Sequence, residues 1–96
     1  MQRRLLDNNE IVAALEKLPG WSLHGRTLQR TFVFPGFVEA FGFMSAVALV
    51  AERMNHHPDW QNAYNKVSVT LSTHDAGGVT ALDLELAARM NALARP

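Results

Sequence analysis

The sequence contains no cysteine, no excess charge of either sign and no apolar run long enough to cross a membrane. Without cysteine there can be no disulfide, thiolate nucleophile or cysteine-containing metal site, which favours a reducing compartment. The longest apolar run, 37–51, contains Glu39 and falls short of the ~20 residues that a membrane span requires. The start, "MQRRLLDNNE", lacks the apolar core of a signal peptide. We therefore expect a cytoplasmic protein without a membrane partner.

Charge and length narrow the class of protein further. Nine basic and nine acidic residues cancel, so no net field draws the chain to nucleic acid. A chain of 96 residues is the size of one folding unit, and we expect a single domain over 1–96. A core of this size is marginal, because a short chain buries a smaller share of its surface. Self-association would therefore help to stabilise the fold.

The first third of the sequence predicts a helix followed by a β-hairpin. Asp7 and Glu10 have the spacing of a capping box, which predicts a helix to about Lys17. The segments "WSL" and "TLQRTFVF" are rich in the aromatic and β-branched residues that are typical of strands. Between them, His24 and Gly25 predict a two-residue turn.

The rest of the sequence predicts two more helices around a strand. One helix, ended by Pro58, is predicted to be largely buried because apolar residues recur at helical spacing. These are Phe37, Phe41, Met44, Val47 and Ala51. "KVSVTLST" alternates as a strand does, and Thr80 with Asp83 predicts a second capping box before "ALDLELAARMNALA". The order is helix, two strands, helix, one or two strands, helix. It predicts an α+β fold with helices over one face of an antiparallel sheet.

Three of the four histidines lie at the ends of predicted elements. His56 and His57 follow the long helix, and His74 follows the alternating strand. Glu52 precedes His56 by four residues, so a helix that continues to His56 would place the carboxylate beside its ring and fix its tautomer. The alternatives are a polar helix end and an exposed surface pair. For Asp83 the cap alone is a sufficient explanation.

Other chemistries find little support. The histidines have neither the His-x-His nor the His-x-x-x-His spacing that directs two rings at one ion, so a zinc site is only a weak alternative. No Gly-x-Ser-x-Gly elbow is present, and Gly77 and Gly78 lack the lysine of a phosphate loop. Proton transfer by histidines, which exchange protons near pH 7, is the chemistry that these residues favour.

The spacing E-x3-H-H-P-x5-Y-x9-H-x8-D resembles the signature of the pterin-4a-carbinolamine dehydratases. Its residues are Glu52, His56, His57, Pro58, Tyr64, His74 and Asp83. The segments "LPGW", "NHHPDW", "YNKVSVTLSTH" and "AGGVTALD" are similar to that family too, so the resemblance covers nearly the whole chain. It implies a four-stranded antiparallel sheet with about three helices on one face, assembled as a homodimer or homotetramer. It also implies dehydration of a 4a-hydroxy-tetrahydropterin, with no metal or cofactor, as a step that follows aromatic amino acid hydroxylases.

The resemblance also implies roles for individual residues. His56, His57 and His74 would be catalytic and contact the pterin, and Glu52 would orient or polarise His56. The expected proton-transfer pair is His74 with His56, and His57 is the expected substrate ligand. The other residues expected at the pterin are Pro58, Thr73, Asp75, Ala76 and, at the edge of the site, Asp83.

Two positions depart from some relatives, which have aspartate where this chain has Asn55 and arginine where it has Leu82. Animal members of the family also act as dimerisation cofactors of a homeodomain transcription factor. A protein-interaction module is therefore the alternative function, and a small zinc hydrolase is a third.

Overall fold

A computed structural model describes residues 3–95 as one four-stranded sheet with three α-helices. The elements in chain order are α1 (Asn8–Leu15), β1 (Ser22–His24), β2 (Thr27–Val33), α2 (Phe37–Met54), β3 (Asp59–Ala63), β4 (Lys66–Leu71) and α3 (Ala81–Leu93). A 3₁₀ turn at His74–Ala76 separates β4 from α3. The predicted α+β class is confirmed. None of the helices within 3–95 combines the length and apolarity that crossing a bilayer requires.

The sheet is antiparallel throughout, with the strand order β1-β2-β4-β3. Side chains alternate between its two faces, so one face is apolar and the other is polar. The apolar face carries Leu28, Phe32, Val67, Val69 and Leu71, all buried in one core cluster with residues of the helices. The alternation predicted for β4 is confirmed, and the polar face carries hydroxyl groups such as Thr31 Oγ1 and Ser68 Oγ, which lie 3.3 Å apart.

Both predicted capping boxes are present. At α1 the Asp7 side chain accepts from the Glu10 amide, and the Glu10 carboxylate accepts from the Asp7 amide. The reciprocal pair at α3 joins Thr80 and Asp83. The first helix ends at Leu15, slightly earlier than the predicted Lys17. Local sequence therefore fixes the two helix starts.

The hairpin turn lies one residue later than predicted. His24 belongs to β1 and pairs with Thr27, so the two turn residues are Gly25 and Arg26. Gly25 has φ +61, a left-handed conformation that glycine adopts without steric cost. The prediction that His24 is a turn residue was wrong, because the residue that takes up the left-handed conformation is Gly25.

The face that α2 buries agrees with the prediction in the second half of the helix but not in its first turns. Its buried residues are Ala40, Phe43, Val47 and Ala51. Phe37 and Phe41 are exposed, as are Val38 and Leu49. The helical period and the burial of Val47 and Ala51 are confirmed, but the prediction that Phe37 and Phe41 are buried in a largely buried helix was wrong. A helix with apolar residues on every side does not reveal from its period alone which side faces the core.

Candidate active site

The open end of the β3–β4 hairpin brings the three predicted histidines to one cleft. Because Asp59 pairs with Thr70 at this end of the ladder, the residues before β3 and after β4 lie next to each other. The cleft has a volume of about 320 Å³. Residues predicted for the site that line it are His56, His57, Pro58, Thr73, His74 and Asp75.

The backbone conformation of Asn55 separates the two adjacent histidines, so that one is buried and the other is exposed. It ends α2 in the left-handed conformation, with φ 52 and ψ 44, which asparagine tolerates better than most residues. The His56 amide then donates to Ala51 O, and the His56 side chain is buried. His57 remains exposed. The helix therefore does not continue to His56 as the expected pairing with Glu52 required.

The carboxylate partner of His56 is Asp83. The His56 Nε2 atom lies 2.6 Å from Asp83 Oδ1, and both side chains are buried. The other carboxylate oxygen, Oδ2, accepts from the Thr73 hydroxyl and the Thr80 amide, each at 2.9 Å. Asp83 thus caps α3 and holds His56 at the same time. It lies beneath the histidine and not at the edge of the cleft.

A hydroxyl pair completes this buried network. Thr80 Oγ1 lies 2.8 Å from Thr73 Oγ1 and accepts from the Leu82 amide. Because Asp83 contacts Nε2 of His56, Nδ1 is the ring nitrogen that remains available to exchange a proton with a ligand. A carboxylate that accepts from one ring nitrogen fixes the tautomer that the other nitrogen presents.

Glu52 pairs with His57 and not with His56. The His57 Nε2 atom lies 2.9 Å from Glu52 Oε1, and both side chains are exposed, at 57% and 81%. His74 Nε2 lies 3.5 Å from Asp59 Oδ2, also at the surface. Each of the three histidines therefore has a carboxylate neighbour, but only the buried pair is held rigidly. The arrangement offers one fixed imidazole beside two that can reorient.

Sequence reasoning did not assign four of the residues that line the cleft, Arg3, Asn55, Asp59 and Ser72, and two of these, Asp59 and Arg3, are charged. Asp59 directly follows "HHP", and its place at the start of β3 beside the end of β4 was the signal that could have identified it. Arg3 entered the sequence analysis only as one of the basic residues in the start of the chain, which lacks the apolar core of a signal peptide. Its side chain lies at the cleft because it pairs with Asp75, at 3.4 Å.

Three residues of the family pattern do not line the cleft. Tyr64 lies in the β3–β4 turn, at the opposite end of the hairpin, and is exposed. Glu52 and Asp83 act on the cleft only through the histidines they contact. Ala76, which was also expected at the pterin, does not line the cleft and closes the 3₁₀ turn that begins at His74. Within residues 3–95, no three His, Asp or Glu side chains are grouped as metal ligands would be.

Comparison with known proteins agrees with the fold and the histidine pattern. The family model described as pterin 4 alpha carbinolamine dehydratase matches residues 4–93. The chain therefore belongs to the pterin-4a-carbinolamine dehydratase family. It is 58% identical over 93 residues to a Mesorhizobium japonicum protein named "Putative pterin-4-alpha-carbinolamine dehydratase", covering 95% of each chain. A Rhodopseudomonas palustris protein of the same name is 58% identical, with 98% of this chain and 94% of that one covered.

Solved structures extend the comparison. A crystal structure from Brucella melitensis, titled transcriptional coactivator/pterin dehydratase, has a TM-score of 0.92 and 49% identity, with 97% of this chain and 100% of that one covered. A second structure, titled as a pterin dehydratase-like RuBisCO assembly factor of the alpha-carboxysome, has a TM-score of 0.67 and 27% identity, covering 78% and 89%. The fold thus occurs in proteins whose titles describe different activities.

Proposed function

We propose that this protein dehydrates a 4a-hydroxy-tetrahydropterin to the quinonoid dihydropterin, so that the pterin used by an aromatic amino acid hydroxylase can be recycled. The observation that carries the proposal is the buried His56–Asp83 pair, which opens onto the same cleft as the exposed His57 and His74. Family membership supports the same reaction.

The reaction needs two proton transfers. One group donates a proton to the 4a-hydroxyl, so that the C4a–O bond breaks and water leaves. A second group accepts the proton from N5, and the electrons of the N5–H bond form the C4a=N5 double bond. Imidazoles can perform both steps near neutral pH, and neither step requires a metal or a cofactor.

The contacts of the three histidines support a different role for each of them. His56 can exchange a proton through Nδ1 while Asp83 holds Nε2, and this arrangement stabilises the imidazolium that forms after proton uptake. His74, which lines the same cleft, is the proposed partner in proton transfer. His57, which is exposed and lies beside Glu52, is the proposed ligand of the pterin. Pro58, Thr73, Asp75 and Ala76 would surround the bound ring.

Alanine at each histidine tests these roles. We expect His56→Ala and His74→Ala to lower kcat for dehydration by about 10²- to 10⁴-fold, because each removes a proton-transfer group. His57→Ala should mainly raise KM. The rate is measured in the ultraviolet by following chemically generated 4a-hydroxy-tetrahydropterin in chelator-treated buffer.

The fourth histidine provides a matched control. His24 lies on β1, where its ring contacts Ser22 Oγ at 2.8 Å, and it does not line the cleft. His24→Ala should leave the kinetics unchanged. A wild-type rate no faster than that of buffer would rule out the dehydratase function. Loss of turnover in His57→Ala alone, with either of the other two variants active, would contradict the assignment of roles.

The exposed apolar face of α2 supports the expected self-association. Phe41 is 57% exposed and Leu49 75% exposed, and Val38 lies on the same side of the helix. Apolar patches of this kind mark interaction surfaces. We propose that a second copy of the chain covers this face, as expected for a homodimer or homotetramer.

Sedimentation of two variants tests the self-association. Leu49→Glu should lower the oligomeric order, because a carboxylate buried at an apolar interface loses its hydration. Val12→Glu, at an exposed apolar residue of α1, is the control and should sediment as wild type does. A Leu49→Glu variant with unchanged sedimentation would show that this face is not the interface.

A further inference from the structure

Residues 3–6, the N-terminal arm, cross from the start of α1 to the candidate active site. Near α1 the Arg4 guanidinium donates two hydrogen bonds to the Glu10 carboxylate, at 3.1 and 2.8 Å. These hydrogen bonds, with that from the Asp7 amide, lower the pKa of Glu10 to about 2. The carboxylate is therefore ionised at neutral pH, and the ion pair fixes this end of the arm to the helix.

The rest of the arm contacts the segment that carries His74. The Leu6 amide donates to Val79 O at 2.9 Å, and Leu5 covers the backbone of Gly78. A Cβ atom at Gly78 would lie 2.7 Å from Leu5 Cδ1, so glycine here permits the close approach of the arm. Arg3 Nη1 completes the contact 3.4 Å from Asp75 Oδ1. The arm thus touches this segment at three successive places.

His74 depends on its backbone for its position. Its side chain is 80% exposed, and its carboxylate neighbour, Asp59, is 3.5 Å away. The 3₁₀ turn is closed at its base by a hydrogen bond from Thr73 N to Gly78 O at 2.8 Å. The contacts that hold residues 75–79 in place therefore determine where the His74 ring lies relative to His56.

We propose that the N-terminal arm is part of the dehydratase site, with Arg3 as a positioning residue that acts on His74 through Asp75. The proposal rests on the proposed function, because it assigns His74 a role in turnover. Arg3 also lines the cleft itself, so a shift of the arm changes the shape of the cleft. An exposed ion pair adds little to global stability, and the effect of Arg3 is therefore kinetic.

Arg3→Gln tests the proposal, with Arg89→Gln as the matched control. Arg89 also forms an ion pair at the surface, with Glu85 on α3, far from the arm in sequence. We expect Arg3→Gln to lower kcat/KM by about fivefold, less than the ~10²-fold loss that a 1 Å misplacement of a catalytic group can cause. Arg89→Gln should match wild type. Arg3→Lys, which keeps the charge, should recover most of the loss, and Leu5→Ala should reproduce part of it.

A double variant shows whether Arg3 and Asp75 act on turnover together or independently. If Arg3 acts through Asp75, Arg3→Gln combined with Asp75→Asn should be no slower than the slower of the two single variants. All variants should keep the wild-type midpoint of urea unfolding. Fully additive losses, or a lower midpoint in Arg3→Gln, would overturn the positioning role.

Amide hydrogen exchange tests the arm without relying on turnover. The amides of Gly77 and Gly78 should exchange faster in Arg3→Gln than in Arg89→Gln, since the turn opens more often when the arm is loose. An inactive wild type would refute the proposed function, while exchange would still report whether the arm holds the turn. Unchanged exchange would overturn the arm contact, and faster exchange with unchanged kinetics would overturn its role in the site.

Discussion

Asp83→Asn is expected to lower the dehydration rate by about 10²- to 10⁴-fold while the protein remains folded. Asp83 Oδ2 accepts from Thr80 N and Thr73 Oγ1, so in the variant the amide oxygen takes this position. The NH₂ group then faces His56 Nε2 and donates to it. The imidazole proton moves to Nδ1, which can no longer accept a proton from the substrate.

Nitrogen chemical shifts of His56 provide a direct measurement of this change. In wild type the protonated nitrogen of the neutral ring should be Nε2, and in Asp83→Asn it should be Nδ1. Glu52→Gln is the comparison, because its hydrogen bond with His57 is exposed and contributes little. We expect less than about a tenfold loss in that variant. An Asp83→Asn variant with the wild-type rate would remove His56 from the proposed mechanism.

Phe32→Ala is expected to lower the free energy of unfolding by about 3–5 kcal/mol. The Phe32 ring is buried at the centre of an aromatic cluster, 4.7 Å from the ring centroid of Phe43 and 5.9 Å from that of Trp21. The Arg30 guanidinium lies over the same ring, 4.1 Å from its centroid. Truncation leaves a cavity and removes a cation–π contact. Since small domains have about 5–15 kcal/mol of stability in total, the variant should be close to unfolding.

Urea denaturation measures this loss of unfolding free energy, and a substitution at the next residue of the same strand is the control. Val33 follows Phe32 but points to the other face and is 64% exposed. Val33→Ala should change the free energy of unfolding by less than about 0.5 kcal/mol. Equal losses in the two variants would mean that Phe32 does not lie in the core as described.

Sequence reasoning succeeded where the determining contacts are local. The capping boxes at Asp7 and Thr80 join residues three positions apart, and the alternation in β4 reflects the period of a strand. The positions of His56, His57 and His74 at element ends were predicted for the same reason. The four-strand count came from the family resemblance, because the residues alone left one or two strands after α2.

The partners of the histidines could not be predicted from local pattern. His56 and Asp83 are 27 residues apart, and their contact depends on how α3 packs against α2, the helix that precedes His56. The expected pairing of Glu52 with His56 assumed a helix that continues, whereas Asn55 turns the chain into the left-handed region. That single residue determines which histidine is buried and which meets Glu52.

The strand order also bears on how the chain folds. β1 with β2, and β3 with β4, form hairpins closed by short turns, whereas β2 and β4 pair residues as distant as Leu28 and Leu71. Local hairpins close in microseconds, and pairings across long loops form more slowly. His57 and His74 flank one hairpin and can reach the same cleft early, but His56 gains its carboxylate partner only when α3 docks. The cleft therefore becomes complete only late in folding.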